Sequence, residues 1–412
     1  MFATLRLMAI LTPKPKDDGL APLSDDLPVY AVLVPLFHEV QMIDQLMQGL
    51  DALRYPRDKL DIILITEEVD PLTTQAVAKS LRPPFRQVIV PIGSPQTKPR
   101  ALNYALQSSQ AAFVTIYDAE DRPHPDQILV AIAAFNTRPD WAAVQAPLDY
   151  FNHDDNWLTR QFALEYAALF HVWIPFLARL GLPFPLGGTS NHMRRGPLEA
   201  VGGWDAFNVT EDADLSFRLA AHGHKIGYIH PPTEEEAVSS LGAWRLQRAR
   251  WIKGYIQTWD VHMTQPFAPG GIKGVLRFLT LQLTLGITLL SVLFYTPVVL
   301  GLPIVATILW WVNIPLDIGL TYSLTFFFSV LVGCLIGVSG ACRANKPSLI
   351  RSAISMPFYW LILFTPALRA FAELKNKRFH WHKTRHGVSR PADLTHIPET
   401  KQDYVPFRRS AD

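Results

Sequence analysis

The chain has 412 residues, 49 % of them apolar and 18 % charged, with a net charge of +2. That length allows two or three folding units; the apolar share excludes disorder as the main state, and the charge balance gives no case for nucleic acid as a partner. Cys334 and Cys342 are the two cysteines, so a disulfide scaffold and a Cys-based zinc cluster are excluded as well.

In chain order, Met1–Leu11 is apolar but too short to span a bilayer. It carries Arg6, lacks a small-residue cleavage site, and suits a membrane-surface segment rather than a signal peptide. Val29–Val34 (VYAVLV) reads as a buried strand, and Val40–Leu53 has helical spacing. Asp61–Ile65 and Gln87–Val90 predict further strands, with a helix over Thr73–Leu81 between them. Arg100–Gln107 predicts a helix, Ala112–Tyr117 a fourth strand and Asp126–Phe135 another helix. Alternation of this kind predicts an α/β fold with a mostly parallel sheet and helices on both faces. Ligands in such folds bind beyond the carboxyl ends of the strands. That rule brings Pro35–Glu39, Thr66–Asp70 and Asp118–Asp121 to one rim. No G-x-G-x-x-G or Walker loop is present, which removes the dinucleotide and P-loop readings.

From Phe278 to Cys342 the only charged residue is Asp317. This far exceeds the about 20 residues needed for one crossing. Apolar segments at 278–298, 300–311, 318–340 and 356–371 predict about four transmembrane helices. Basic residues flank the region, from Arg245 to Arg277 before it and from Lys375 to Arg390 after it. Both flanks are therefore expected on the cytoplasmic side. Arg343, Lys346 and Arg351 then fall on the far side and oppose this arrangement. The expected domains are an amino-terminal segment (1–27), a cytoplasmic α/β domain (28–274), a membrane region (275–372) and a cytoplasmic tail (373–412).

Three motifs carry chemistry. Asp118-Ala119-Glu120-Asp121 closes the fourth strand. Acids this crowded repel one another unless a cation intervenes, and hard oxygen ligands suit Mg2+ or Mn2+. A solvated turn is the blander reading. Thr210-Glu211-Asp212-Ala213-Asp214 reads as a helix start with acids in its first turn. Gln247-Arg248-Ala249-Arg250-Trp251 puts Gln247 and Arg250 on one helix face beside an indole. Arginine suits a diphosphate and tryptophan a sugar ring, although a basic helix at a membrane surface also fits. Glu234-Glu235-Glu236 reads as a solvated loop, His380, His382 and His386 as part of a basic segment, and Glu165 is left unassigned.

Taken together, the D-x-E, T-E-D and Q-x-x-R-W elements in this order, followed by membrane helices, resemble the processive family 2 glycosyltransferases, which include cellulose, hyaluronan and poly-N-acetylglucosamine synthases. The resemblance spans about Pro28 to Arg390 and extends to Leu33–Glu39, Lys98–Leu106, Gly187–Arg195 and Trp381–Gly387. It implies a GT-A type fold in the cytoplasmic (inner) membrane with a cytoplasmic catalytic domain. It implies an inverting, metal-dependent transfer from a nucleotide diphosphate sugar, such as a UDP-sugar, to a growing β-linked polysaccharide. Single transfer to a lipid is the alternative, and a non-catalytic transport or scaffold protein a distant one. An export partner subunit is left open.

By the same resemblance, Asp118 and Glu120 or Asp121 bind the metal, which is Mg2+ or Mn2+. Asp118, Glu120 and Lys98 contact the nucleotide sugar, and Glu67, Glu68 and Asp70 compete for the nucleotide base. Asp212 corresponds to the general base, while Gln247, Arg250 and Trp251 form the diphosphate and acceptor platform. Gly188, Thr189, Glu211 and Trp251 face the acceptor, and Trp381–Gly387 resembles a gating loop.

Overall fold

The computed structural model describes residues 2–14, 23, 26–312 and 316–376. Helix α1 (Phe2–Leu11) precedes an alternating series: β1 (Tyr30–Pro35), α2 (Ile43–Asp51), β2 (Leu60–Glu67), α3 (Pro71–Ser80), β3 (Phe85–Val90), α4 (Lys98–Leu106) and β4 (Phe113–Ile116). Next come β5 (Arg122–Pro123), α5 (Gln127–Thr137), β6 (Trp141–Gln145), β7 (Leu148–Tyr150), α6 (Trp157–Ala168) and α7 (Ile174–Arg179). The catalytic-domain series closes with β8 (Asn191–Arg194), α8 (Arg195–Ala200), α9 (Glu211–Ala221), β9 (Lys225–Tyr228) and β10 (Thr233–Glu235).

Seven strands form the main sheet in the order β3-β2-β1-β4-β8-β6-β9. Strands β1 to β4 are mutually parallel, and only β8 runs against its neighbours. Residue alternation explains why both faces are covered. Ala31, Leu33, Ile63, Ile65, Val114 and Ile116 enter one buried layer, while Tyr30, Val32, Val34, Ile62 and Leu64 enter the other. The reversed β8 has a consequence for function. Its amino-terminal end lies at the same rim as the carboxyl end of β4, with the Ser190 amide donating to the Ile116 carbonyl at 2.8 Å. Gly187–Thr189 is thereby delivered beside Asp118. A small second sheet, ordered β5-β10-β7, closes this side of the rim.

Helix α10 (Leu241–Met263) leads to α11 (Gly271–Leu281), which continues through a π-helical turn, Gln282–Gly286, into α12 (Ile287–Trp311). The apolar segments expected at 278–298 and 300–311 are therefore one helical run, with Pro297 and Pro303 inside it. Proline is tolerated in membrane helices where side chains and neighbouring helices satisfy the freed carbonyls. Thr307 donates its hydroxyl back to the Pro303 carbonyl at 2.8 Å, whereas the carbonyls that the two prolines free are those of Leu293 and Val299, four residues earlier. Helix α13 (Leu316–Arg343) returns, and α14 (Met356–Ile362) and α15 (Phe364–Asn376) follow. Asp317 falls in the first turn of α13.

Among the described residues, four helices are long and apolar enough to cross a membrane: Trp157–Arg179, Gly271–Ile304, Leu320–Arg343 and Pro347–Lys375. The first is largely buried inside the catalytic domain, where Phe170, Trp173, Ile174 and Leu177 join the sheet core. Helix α13 lies directly on it: a β-carbon at Gly340 would stand 2.4 Å from the Ala167 backbone, and one at Gly337 would touch Met356 and Leu164.

The far-side placement of Arg343 and Lys346 is corrected by their contacts. Arg343 donates to the carbonyls of Ile10 at 2.8 Å and Thr12 at 2.7 Å. Lys346 donates to the Tyr150 carbonyl at 2.9 Å. The α12–α13 hairpin thus leaves the catalytic domain and comes back to it. The gating-like segment Trp381–Gly387 and the three tail histidines lie outside the described residues.

Candidate active site

Four elements converge at the rim: the turn after β4, the loop entering β8, the start of α9, and α10. Lys98 opens α4 and points its ammonium group at Asp118, while also donating to the Gly188 carbonyl at 2.9 Å. A β-carbon at Gly188 would lie 3.7 Å from Asp212 Oδ2 and 3.9 Å from Lys98 Nζ. Asp118, Lys98, Gly188 and Asp212 therefore border one space. Helix α9 is brought in by a close approach. A side chain at Gly254 of α10 would collide with Thr210 at 2.4 Å, so only glycine lets α10 seat against the residue that precedes α9.

The electrostatics follow from this crowding. Burial, reinforced by Glu211, raises Asp212 to about 7, with Lys98 opposing the shift. Burial likewise raises Glu211. Lys98 is itself largely withdrawn from solvent, yet Asp118, Glu211 and Asp212 raise its ammonium well above the ordinary range. Arg250 is lowered by burial but lies in the field of Glu211, Asp118 and Asp212. The sequence-predicted acids, lysine and arginine are thus brought together.

Within the Asp118–Asp121 turn the acids divide their roles. Asp121 is 1 % exposed. Its Oδ2 accepts the Asp118 amide at 2.7 Å and lies against the Thr189 hydroxyl, tying the turn to the β8 loop. Its Oδ1 is buried with no hydrogen-bond partner among the described residues. Glu120 is partly exposed, and burial together with Asp118 raises it to about 8. Among the described residues no three His, Cys, Asp or Glu side chains are gathered closely enough to hold a metal alone. Such closure is not required here, because Mg2+ and Mn2+ commonly take one or two carboxylates and complete their shell with phosphate oxygens and water. An orphaned carboxylate oxygen and acids whose proton affinity is raised by one another both fit a divalent cation.

Reading Glu234–Glu236 as a solvated loop is corrected. Thr233–Glu235 forms β10, and Glu236 is buried. Burial, with Asp121, Glu120 and Asp118 nearby, raises Glu235 strongly. No local signal marks it, since its place depends on pairing with β7, far away in sequence. The β2 acids also separate. Asp70 is buried, accepts the His38 amide at 2.6 Å and the Thr73 amide at 3.3 Å, and caps α3. Glu68 accepts the Ile92 amide at 3.2 Å. Glu67 ends β2 at the rim beside Gln96 and Arg100, with burial raising its carboxyl.

On α10, Trp251 stacks on Tyr166 with ring centroids 6.2 Å apart, and its ring centroid lies 5.7 Å from that of Phe162. Tyr166 also lies in the field of Arg250, which joins the indole to the acidic group. Gln247 is buried, and its carbonyl oxygen has no partner among the described residues.

Sequence reasoning passed over Arg248 and Glu165. Arg248 donates to Glu165 Oε1 at 2.9 Å and to the Tyr359 hydroxyl at 2.8 Å, and its guanidinium covers the Trp251 ring at 4.8 Å. This knot clamps α6, α10 and α14 behind the indole. Glu165→Ala strands a buried guanidinium, an effect of about 3 kcal/mol. The expected result is a clearly lower thermal midpoint for the purified protein, and an unchanged midpoint would refute the clamp.

Residues 113–368 match the profile of glycosyl transferase family group 2. The chain is 28 % identical over 380 residues to a β-monoglucosyldiacylglycerol synthase of Synechocystis sp., covering 88 % of this chain and 76 % of that one. It is 26 % identical over 240 residues to a probable glucomannan 4-β-mannosyltransferase of Arabidopsis thaliana, covering 56 % of this chain and 43 % of the plant protein. Among solved structures, a mannosyltransferase from Pyrobaculum calidifontis in complex with GDP-Man and Mn2+ shares the fold with a TM-score of 0.55 at 16 % identity, over 90 % of this chain and 98 % of that one.

Proposed function

The chain belongs to glycosyl transferase family group 2, and from that premise we propose that it moves a single hexose from a nucleotide diphosphate sugar to a lipid acceptor, with inversion at the anomeric carbon. The observation that carries the lipid reading is the out-and-back α12–α13 hairpin, whose two ends meet the catalytic domain. A pair of crossings is too few to enclose a polar passage for a growing glycan. Of the remaining long apolar helices, Trp157–Arg179 is largely buried in the domain, and Pro347–Lys375 packs against α6, α10 and the hairpin and exposes Ile354, Phe358, Leu368 and Phe371. The similarity to a glycolipid synthase over most of the chain supports the same reading.

In this reading the donor diphosphate lies along the rim, held by the Lys98 ammonium and the Arg250 guanidinium, both preorganised by the surrounding acids. Asp118 with Glu120, and the unpartnered Asp121 Oδ1, would hold a divalent cation, which would neutralise charge on the departing diphosphate, while Asp121 Oδ2 keeps the turn in shape. Asp212 accepts the proton of the acceptor hydroxyl as that oxygen attacks the anomeric carbon. Glycine at 188 leaves room for the attacking group, with Thr189 and Glu211 on either side. Trp251, backed by Tyr166 and Phe162, offers its ring face to the sugar or the acceptor. Glu67 reaches the nucleotide base. The catalytic domain faces the cytoplasm, where nucleotide sugars are supplied and the basic flanks of the hairpin reside.

A second reading, extension of a polysaccharide, is favoured by the Q-x-x-R-W arrangement of Gln247, Arg250 and Trp251 on α10. Reconstituted full-length protein given radiolabelled UDP- and GDP-sugars, a divalent cation and membrane lipid separates the two. A lipid-soluble product larger than its acceptor by one hexose is the expected result. A long water-soluble or insoluble polymer would overturn the lipid reading in favour of the second. Absence of nucleoside diphosphate release would overturn both.

A further inference from the structure

Between α1 and α13 lies a cavity of about 290 Å3, lined by Phe2, Thr4, Arg6, Thr325, Phe328 and Ser329. The Arg6 guanidinium stands 4.2 Å from the Phe2 ring centroid, and one of its nitrogens is 3.5 Å from where a Gly333 β-carbon would be. Among the described residues Arg6 forms no hydrogen bond and no ion pair, its ring contact with Phe2 aside. The cavity mouth is open, since Thr4, Thr325, Phe328 and Ser329 are exposed.

Its depth can be placed along α13. Exposed apolar side chains run along α12 from Leu290 to Trp311 and along α13 from Leu320 to Leu335. At 1.5 Å per residue, the stretches 290–311 and 316–335 are each about 30 Å long, the thickness of a bilayer hydrocarbon core. Beyond Leu335, α13 is packed on the catalytic domain, with Ile336, Gly340 and Ala341 buried. Leu335 therefore marks the headgroup boundary; Gly333, beside the Arg6 guanidinium, lies about 3 Å inside it, and the cavity wall at Thr325, Phe328 and Ser329 lies about 9–15 Å inside. An unpaired guanidinium at that level is expensive unless an anion reaches it. The anion available there is the phosphate of a lipid, and arginine binds phosphate through paired N–H donors.

We propose that Arg6, at the boundary end of the α1–α13 cavity, binds the phosphate of an anionic glycerophospholipid whose chain descends past Thr325, Phe328 and Ser329, and that this lipid holds the amino-terminal helix against the membrane hairpin. The site is separate from the catalytic rim and does not depend on which sugar is transferred.

The test is lipid retention, read without any sugar transfer, so its failure leaves the proposed activity untouched. Full-length protein in neutral detergent is titrated with phosphatidylglycerol, phosphatidylcholine or inorganic phosphate, and bound lipid is counted by native mass spectrometry. The wild type is expected to retain phosphatidylglycerol in preference to phosphatidylcholine. Arg6→Gln should weaken that retention by about tenfold or more, from loss of charge-assisted hydrogen bonds. Arg6→Lys should keep part of it. Ser329→Phe, which plugs the exposed mouth and leaves Arg6 intact, should give a similar loss and carries the test should Arg6→Gln fail to fold. Equal retention by wild type and both loss variants, equal retention of the two lipids, or full displacement by inorganic phosphate would each overturn the proposal.

Discussion

Asp212→Asn should leave donor binding intact and slow sugar transfer by about 10²–10⁴-fold, the usual contribution of a positioned base. Asparagine keeps the shape beside Gly188 but cannot take a proton. Donor affinity is expected to persist because the Lys98–Asp118 pair and Arg250 are unchanged. The pH profile gives an independent reading. Asp212 accepts a proton only when ionised, and burial with Glu211 raises it to about 7. Below that pH the wild-type base is protonated and kcat/KM should fall; above it the rate should level off. The asparagine variant should lose this limb. Initial rates of nucleoside diphosphate release, measured alongside donor titration, check both points. Near wild-type turnover in the variant would remove Asp212 from the base role.

Asp118→Asn should instead abolish the metal-dependent part of donor binding. Even ligand-orienting groups around metal sites are worth 10–100-fold, so loss of a ligand is expected to weaken donor affinity about 100-fold or more. The asparagine oxygen can still accept from Lys98, which separates loss of the carboxylate charge from collapse of the lysine. Calorimetric titration of donor with and without Mn2+ reads the effect. Wild-type affinity should drop on chelation, whereas the variant should bind weakly in both conditions. Metal-dependent affinity equal to wild type would contradict the assignment.

Local pattern made the sheet legible. Runs such as YAVLV (30–34) and IILI (62–65) sit within strands because every residue meets a covered face, and Pro35 closes β1. The rim acids were legible for the same reason: parallel strands put their carboxyl ends on one side. Where distant segments decide, the sequence was silent. Glu235 looks solvated in a run of three glutamates, yet β7 and β5 pull it beside Asp118–Asp121. Arg248 is hidden inside Q-x-x-R-W because its partners are on α6 and α14. Pro297 and Pro303 look like helix breaks, a rule learned in water that a membrane relaxes. Arg343 looked like a topology signal. Its guanidinium is instead spent on the last carbonyls of α1 and the turn beyond it.

The return of α13 to the catalytic domain has a mechanical consequence. With α11 and α13 both rooted in the domain, the cleft cannot tilt or lift without dragging a greasy loop toward water. The working distance between reacting groups and lipid surface is thereby set by protein geometry rather than by a tether. A substrate anchored by its tails then needs to search only in two dimensions, at a constant height, and the length of those tails should matter little to the rate.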